Sequence, residues 1–151
     1  MKIIPDKLLG YEGRLKRFRP IIEKAFVAKG LPLSWGLAIA RQESGFRPWA
    51  SNTRDPGDKR RGGSWGLFQM SLLTAQKLAF TGDAFDLLDP ERNAEYAARL
   101  VAELRDRWHN LQDVAAAYNS GKSYLLAPAS TRLVYCPNVI KYSNEFAEMF
   151  G

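Results

Sequence analysis

Pro32-Leu33-Ser34-Trp35-Gly36-Leu37-Ala38-Ile39-Ala40-Arg41-Gln42-Glu43-Ser44-Gly45-Phe46-Arg47-Pro48 is the stretch on which the fold turns. A start signal at Pro32 or Ser34 precedes an apolar run through Trp35, Leu37, Ala38 and Ile39, and Gly45 and Pro48 end it, so the spacing predicts a helix finishing at Glu43-Ser44. Glu43 then lies at a helix C-terminus, where the dipole disfavours negative charge, and behind an apolar face that desolvates it. Both effects raise a carboxyl pKa, which is what a general acid requires. Glu43 is therefore the leading catalytic candidate.

Outward from that helix, apolar residues recur at three and four while alternation with period two is scarce, so the chain is expected to be mostly α. On the N-terminal side, Pro20 is expected to open a helix carrying Ile21, Ile22, Ala25 and Phe26 to a stop at Gly30. On the C-terminal side, residues 49–65 form a polar, Gly-rich stretch too long for a simple turn, which suggests a binding loop. A short helix is expected from about Leu72 to Phe80. Asp89-Pro90 is a strong helix start, with Ala97, Val101, Leu104 and Trp108 on one stripe. A further helix is expected from Leu111 to Tyr118, stopping at Gly121, and a last one from Pro137 with Val139, Tyr142, Phe146 and Met149 inward.

Composition bounds the function. The chain has 151 residues, 46% apolar and 25% charged, which is ordinary globular usage for a single domain over 1–151. One cysteine, Cys136, forms no internal disulfide, and one histidine, His109, builds no multi-histidine metal site. No metal or cofactor is expected. His109 is read as a helix-end residue and Cys136 as packing. The net charge of +6 favours a polyanionic partner such as nucleic acid, an acidic polymer or a membrane surface. Lys59-Arg60-Arg61 can grip phosphate or simply be solvated. Met1 to Gly10 lacks the apolar region of a secretory signal, and no apolar run is long enough to cross a bilayer. The expectation is a protein made in the cytoplasm without an export signal.

Two further clusters accompany Glu43. Gly66-Leu67-Phe68-Gln69-Met70 puts a small residue and an amide after the polar loop, and Ala115-Ala116-Ala117-Tyr118-Asn119-Ser120-Gly121 offers a phenol and an amide at a helix end. Taken with Arg41-Gln42-Glu43-Ser44-Gly45-Phe46-Arg47-Pro48, these resemble, in order, the Glu-Ser, Gly-Leu-Met-Gln and Ala-Tyr-Asn-Ala-Gly motifs of the soluble lytic transglycosylase family. Leu88-Asp89-Pro90-Glu91 is similar to that family's Leu-Asp-Pro segment, and Tyr135, Val139 and Tyr142 repeat a family spacing. The resemblance spans about residues 31–146.

The resemblance implies a lysozyme-like fold that cleaves the bond between N-acetylmuramic acid and N-acetylglucosamine in peptidoglycan. Glu43 would serve as acid and then as base, leaving a 1,6-anhydro end. Matching positions imply that Ser51, Gln69, Tyr118, Asn119 and Tyr135 line the glycan groove. Peptidoglycan strands, not nucleic acid, would be the partner, and the protein a monomer. An enzyme of this kind without an export signal resembles a phage lysis protein (endolysin), a virion-carried entry enzyme or the cargo of a secretion machine. Three departures stand out. Ser51 lies one position short of the family's serine, so Ser51 and Asn52 compete for that role. The segment from Asn52 to Ser64 is longer than usual and carries Asp55 and Asp58, similar to goose-type lysozymes, where such aspartates position water. A family acid falls on Thr131. A hydrolase using Glu43 with Asp55 or Asp58, and a noncatalytic basic protein binding wall polymer or nucleic acid, are the alternatives.

Overall fold

The computed structural model describes residues 3–53 and 63–151. The candidate aspartates Asp55 and Asp58, and the basic run Lys59-Arg60-Arg61, lie outside the described residues.

Helix α1 spans Tyr11–Val27, so Pro20 lies inside it and does not begin it. The reason is tertiary: Arg14, Leu15, Phe18, Ile22 and Phe26 form one buried stripe that runs through the proline. Burying that stripe outweighs the ~3 kcal/mol a proline costs in a helix interior. Helix α2, Leu33–Ser44, matches the expected span, with Gly45 as a left-handed cap. Gly36 through Ala40 are all buried, so α2 is sheathed on every side and is the central helix.

The polar stretch after α2 is not wholly irregular. β1 (Ser51–Asn52), β2 (Ser64–Trp65) and β3 (Met70–Ser71) form a small antiparallel sheet in that order. Ser51 pairs with Trp65, Asn52 with Ser64, and Trp65 in turn with Met70. Strands of two residues leave no alternation to detect, which is why the sequence reading showed none.

Helix α3, Leu72–Lys77, is capped by Ser71, whose hydroxyl accepts from Thr74 N at 3.1 Å. Asp89 caps α4, Pro90–Trp108, accepting from Arg92 N at 3.3 Å. Helix α5 covers Leu111–Ser120 and stops at a left-handed Gly121. A π-helical turn, Thr131–Tyr135, runs directly into α6, Cys136–Phe150. On α6, Val139 and Phe146 are buried, Tyr142 is half-buried, and Met149, expected inside, is exposed because the helix outruns the core there. Cys136 is a buried free thiol, and His109 closes α4 in the left-handed conformation. α2 packs chiefly on α6, and α1 on α4. No helix among the described residues is long and apolar enough to cross a membrane.

Candidate active site

Glu43 sits half-buried in the last turn of α2, and the residues around it fix that turn from three directions. Gly45, at φ 60°, returns its N–H to Arg41 O at 3.0 Å, a conformation that costs glycine little. Ser44 Oγ donates to Leu67 O at 2.7 Å and accepts from Arg47 N at 3.1 Å, so the serine of the Glu-Ser pair ties α2 to the Gly-Leu-Phe-Gln segment. Two guanidinium groups reach the exposed carbonyls at the helix end: Arg47 Nη1 donates to Ser44 O at 3.1 Å, and Arg14 Nε to Gly45 O at 3.0 Å. Cations there oppose the dipole's negative end, each by ~0.3–1 kcal/mol. Burial, then the nearby Arg47 charge, holds the Arg14 pKa below its ordinary value.

The segment after the polar stretch is held as firmly. Gly66, at φ 81°, donates its N–H to Ala50 O at 2.8 Å, and a Cβ there would fall 2.5 Å from both Asn93 Nδ2 and Leu87 O. Asn93 is fully buried on α4. Its Nδ2 donates to Trp65 O at 2.7 Å and Leu87 O at 2.8 Å, and its Oδ1 accepts from Phe68 N at 2.7 Å. Gln69 is left-handed at φ 50°, as is Phe46 at φ 62°, so two of the motifs each hold a non-glycine residue in a conformation that costs ~1–3 kcal/mol. Gln69 Nε2 donates to Gly66 O at 2.9 Å and Ala50 O at 3.1 Å, which shapes the segment.

From the other wall, Tyr118 OH donates to Phe68 O at 2.7 Å. Tyr135 OH donates to Glu43 Oε2 at 2.6 Å, joining the π-helical turn to the end of α2 across 92 residues of sequence. Burial first, and the Glu43 charge second, push both phenols well above the ordinary tyrosine value. Each therefore remains a neutral donor. Thr131, where the family acid was expected, is buried and donates through Oγ1 to Asn119 Oδ1 at 2.7 Å, fastening the end of α5 to the π-helical turn. Exposed Asn119 thus spends its carbonyl oxygen on that contact. Ser51 is exposed on β1 and pairs with Trp65 of β2.

Glu43 and Tyr135 are thus in direct contact, and Tyr118 and Gln69 converge on the same backbone segment. The sequence reading missed Arg14 and Asn93. Each had a signal: Arg14 precedes Phe18 and Ile22 at four-residue steps, and Asn93 precedes Ala97 and Val101 in the same way, so each is a polar residue on an apolar stripe.

A central buried helix ending in a clamped glutamate, faced by a short sheet and two phenols, has counterparts among known proteins. Residues 20–131 match the Transglycosylase SLT domain family, and the chain belongs to that family. It is 33% identical over 119 residues to membrane-bound lytic murein transglycosylase F of Desulfosudis oleivorans, covering 74% of this chain and 24% of that protein. It is 30% identical over 103 residues to protein IpgF of Shigella sonnei, covering 67% of this chain and 65% of that protein. The chain thus spans a quarter of the first relative's length and just under two thirds of the second's. Among solved structures, the 70-kDa soluble lytic transglycosylase of Escherichia coli superposes over 93% of this chain and 26% of its own, with a TM-score of 0.72 at 22% identity. A complex of a 70-kDa soluble lytic transglycosylase with bulgecin A gives a TM-score of 0.74 at 23% identity, over 93% of this chain and 26% of the other. The fold is the lysozyme-like fold of these transglycosylases.

Proposed function

We propose that the chain is a peptidoglycan lytic transglycosylase that cleaves the β-1,4 bond from N-acetylmuramic acid to N-acetylglucosamine and leaves a 1,6-anhydromuramoyl end. Glu43 protonates the leaving glycosidic oxygen as the bond to the muramic anomeric carbon breaks. The resulting carboxylate then removes the proton of the muramoyl 6-hydroxyl, whose oxygen closes on the anomeric carbon. Glu43 ends protonated again, ready for the next cycle, and no water is consumed. The substrate's acetamido group steadies the oxocarbenium-like state in place of a second carboxylate.

The observation that carries this reading is the 2.6 Å hydrogen bond from Tyr135 OH to Glu43 Oε2. A neutral phenol that donates to the carboxyl group fixes its orientation and takes up none of its protons. Gln69, Tyr118 and Asn119 contribute groove polarity beside it, with Ser51 at the sheet edge. The membership in the family and the relative named as a membrane-bound lytic murein transglycosylase support the substrate class. Release of soluble muropeptides from purified sacculi, lost in Glu43→Gln, is the test. Release by that variant at the unsubstituted rate contradicts it.

A further inference from the structure

Away from Glu43, the end of α4, the first turn of α5 and the 3-10 turn Tyr124–Leu126 line an open surface cleft of about 500 Å³. It is lined by Trp108, Gln112, Asp113, Ser123, Tyr124 and Leu125. That volume lies within the ~300–1,000 Å³ typical of small-ligand sites. The cleft is built around one fixed carboxylate. Asp113 Oδ1 accepts from Tyr124 N and Oδ2 from Asn110 Nδ2, both at 2.9 Å, which secures the 3-10 turn to the start of α5. The Arg107 guanidinium lies 4.5 Å from the Trp108 ring centroid, holding the indole at the rim.

The other polar side chains here are idle. Among the described residues, the Trp108 indole N–H, the Gln112 amide, the Ser123 hydroxyl and the Tyr124 phenol make no hydrogen bond to protein. Leu125 is 84% exposed, an aliphatic lip with no internal use. The face also differs from that of the reacting groups: Gln112 and Tyr118 are six residues apart on α5, roughly 9 Å of rise and about 120° of rotation.

The geometry points to an accessory saccharide site, taking one or two pyranose units on the Trp108 and Tyr124 rings. A pyranose offers an apolar C–H face rimmed by hydroxyl and acetamido groups, which complements two aromatic surfaces beside unspent amide, hydroxyl and indole donors. The fixed Asp113 carboxylate disfavours phosphate and other anions. That the sugars belong to a peptidoglycan strand rests on the proposed function; saccharide binding itself does not. A strand gripped here stays near the enzyme between cleavage events, raising its effective concentration at Glu43.

The test titrates ¹⁵N-labelled Glu43→Gln protein with triacetylchitotriose and follows the indole N–H signals, with that of Trp108 assigned by its loss in Trp108→Phe. The Trp108 signal is expected to shift and saturate at millimolar sugar. Gln112→Ala with Tyr124→Phe, which spares the rings that hold the fold, is expected to weaken that titration roughly tenfold while signals near Glu43 titrate as before. An unmoved Trp108 signal, or one unaffected by the double variant, overturns the site. The two readings separate when the unsubstituted protein is assayed on purified sacculi beside the titration: a Trp108 shift with no muropeptide release by the unsubstituted protein leaves this site standing and the catalytic reading fallen, and release with an unmoved Trp108 signal does the opposite.

Discussion

Glu43 is held by a donor whose own acidity the fold has suppressed. Tyr135 and Tyr118 are pushed well above the ordinary value of 10.0 by burial and then by the Glu43 charge, so the unfolded chain releases their protons first. Their contribution to stability is complete below about pH 10 and is lost as the pH rises past that value towards the folded pKa. Ultraviolet titration of the folded protein is expected to show these two of its six tyrosines failing to ionise until the protein unfolds. Ionisation of all six near pH 10 in folded protein contradicts this placement. Tyr135→Phe keeps the ring and removes the donor to Glu43, and turnover on sacculi is expected to fall roughly 10–100-fold with little change in melting temperature. Glu43→Gln is expected to lose ~10²–10⁴ in rate at unchanged stability, because an amide keeps the shape and cycles no proton.

At the scale of elements, the site depends on where α2 stops and on how α4 holds residues 65–68. Asn93→Ala removes three hydrogen bonds at once, two of them buried, and leaves Phe68 N, Trp65 O and Leu87 O to find other partners. It is expected to cost about 2–4 kcal/mol and to lower the melting temperature by roughly 5–15 °C. Muropeptide release by the remaining folded protein should fall with it, since the same segment carries Gln69. In contrast, Pro20 is exposed, and its neighbours on the buried face keep α1 helical regardless. Pro20→Ala restores a donor in mid-helix and is expected to stabilise by about 1–3 kcal/mol in denaturant titration; a loss of stability would mean that the proline is structurally required. These two residues also mark what was legible. α2, α4 and α5 could be read because each carries its own stop or cap, at Gly45, Asp89 and Gly121. The first half of α1 could not be read, because a local breaker at Pro20 was overruled by packing that only the tertiary fold supplies. The two-residue strands and the π-helical turn Thr131–Tyr135 were hidden for a different reason: neither is long enough for a period to register. Glu43 and Tyr135 were both singled out, but the bond between them, and the diversion of Asn119 to Thr131, depend on contacts remote in sequence.

At the scale of the whole molecule, the claim is that a glutamate at the end of a buried helix, hydrogen-bonded by the Tyr135 phenol, performs both proton transfers on a glycan strand. The muramoyl 6-hydroxyl belongs to the reacting sugar, so on this account its effective concentration at the anomeric carbon exceeds that of bulk water. A net charge of +6 suits an anionic wall polymer, and release from sacculi is expected to weaken as salt screens that attraction. The most direct measurement is mass spectrometry of the muropeptides released from purified sacculi by the full chain. The account predicts anhydromuropeptides, each lighter by one water than the corresponding hydrolysis product, and none from Glu43→Gln. Predominantly reducible muramic acid ends, disappearing when Asp55 or Asp58 is replaced, would contradict it and identify a hydrolase.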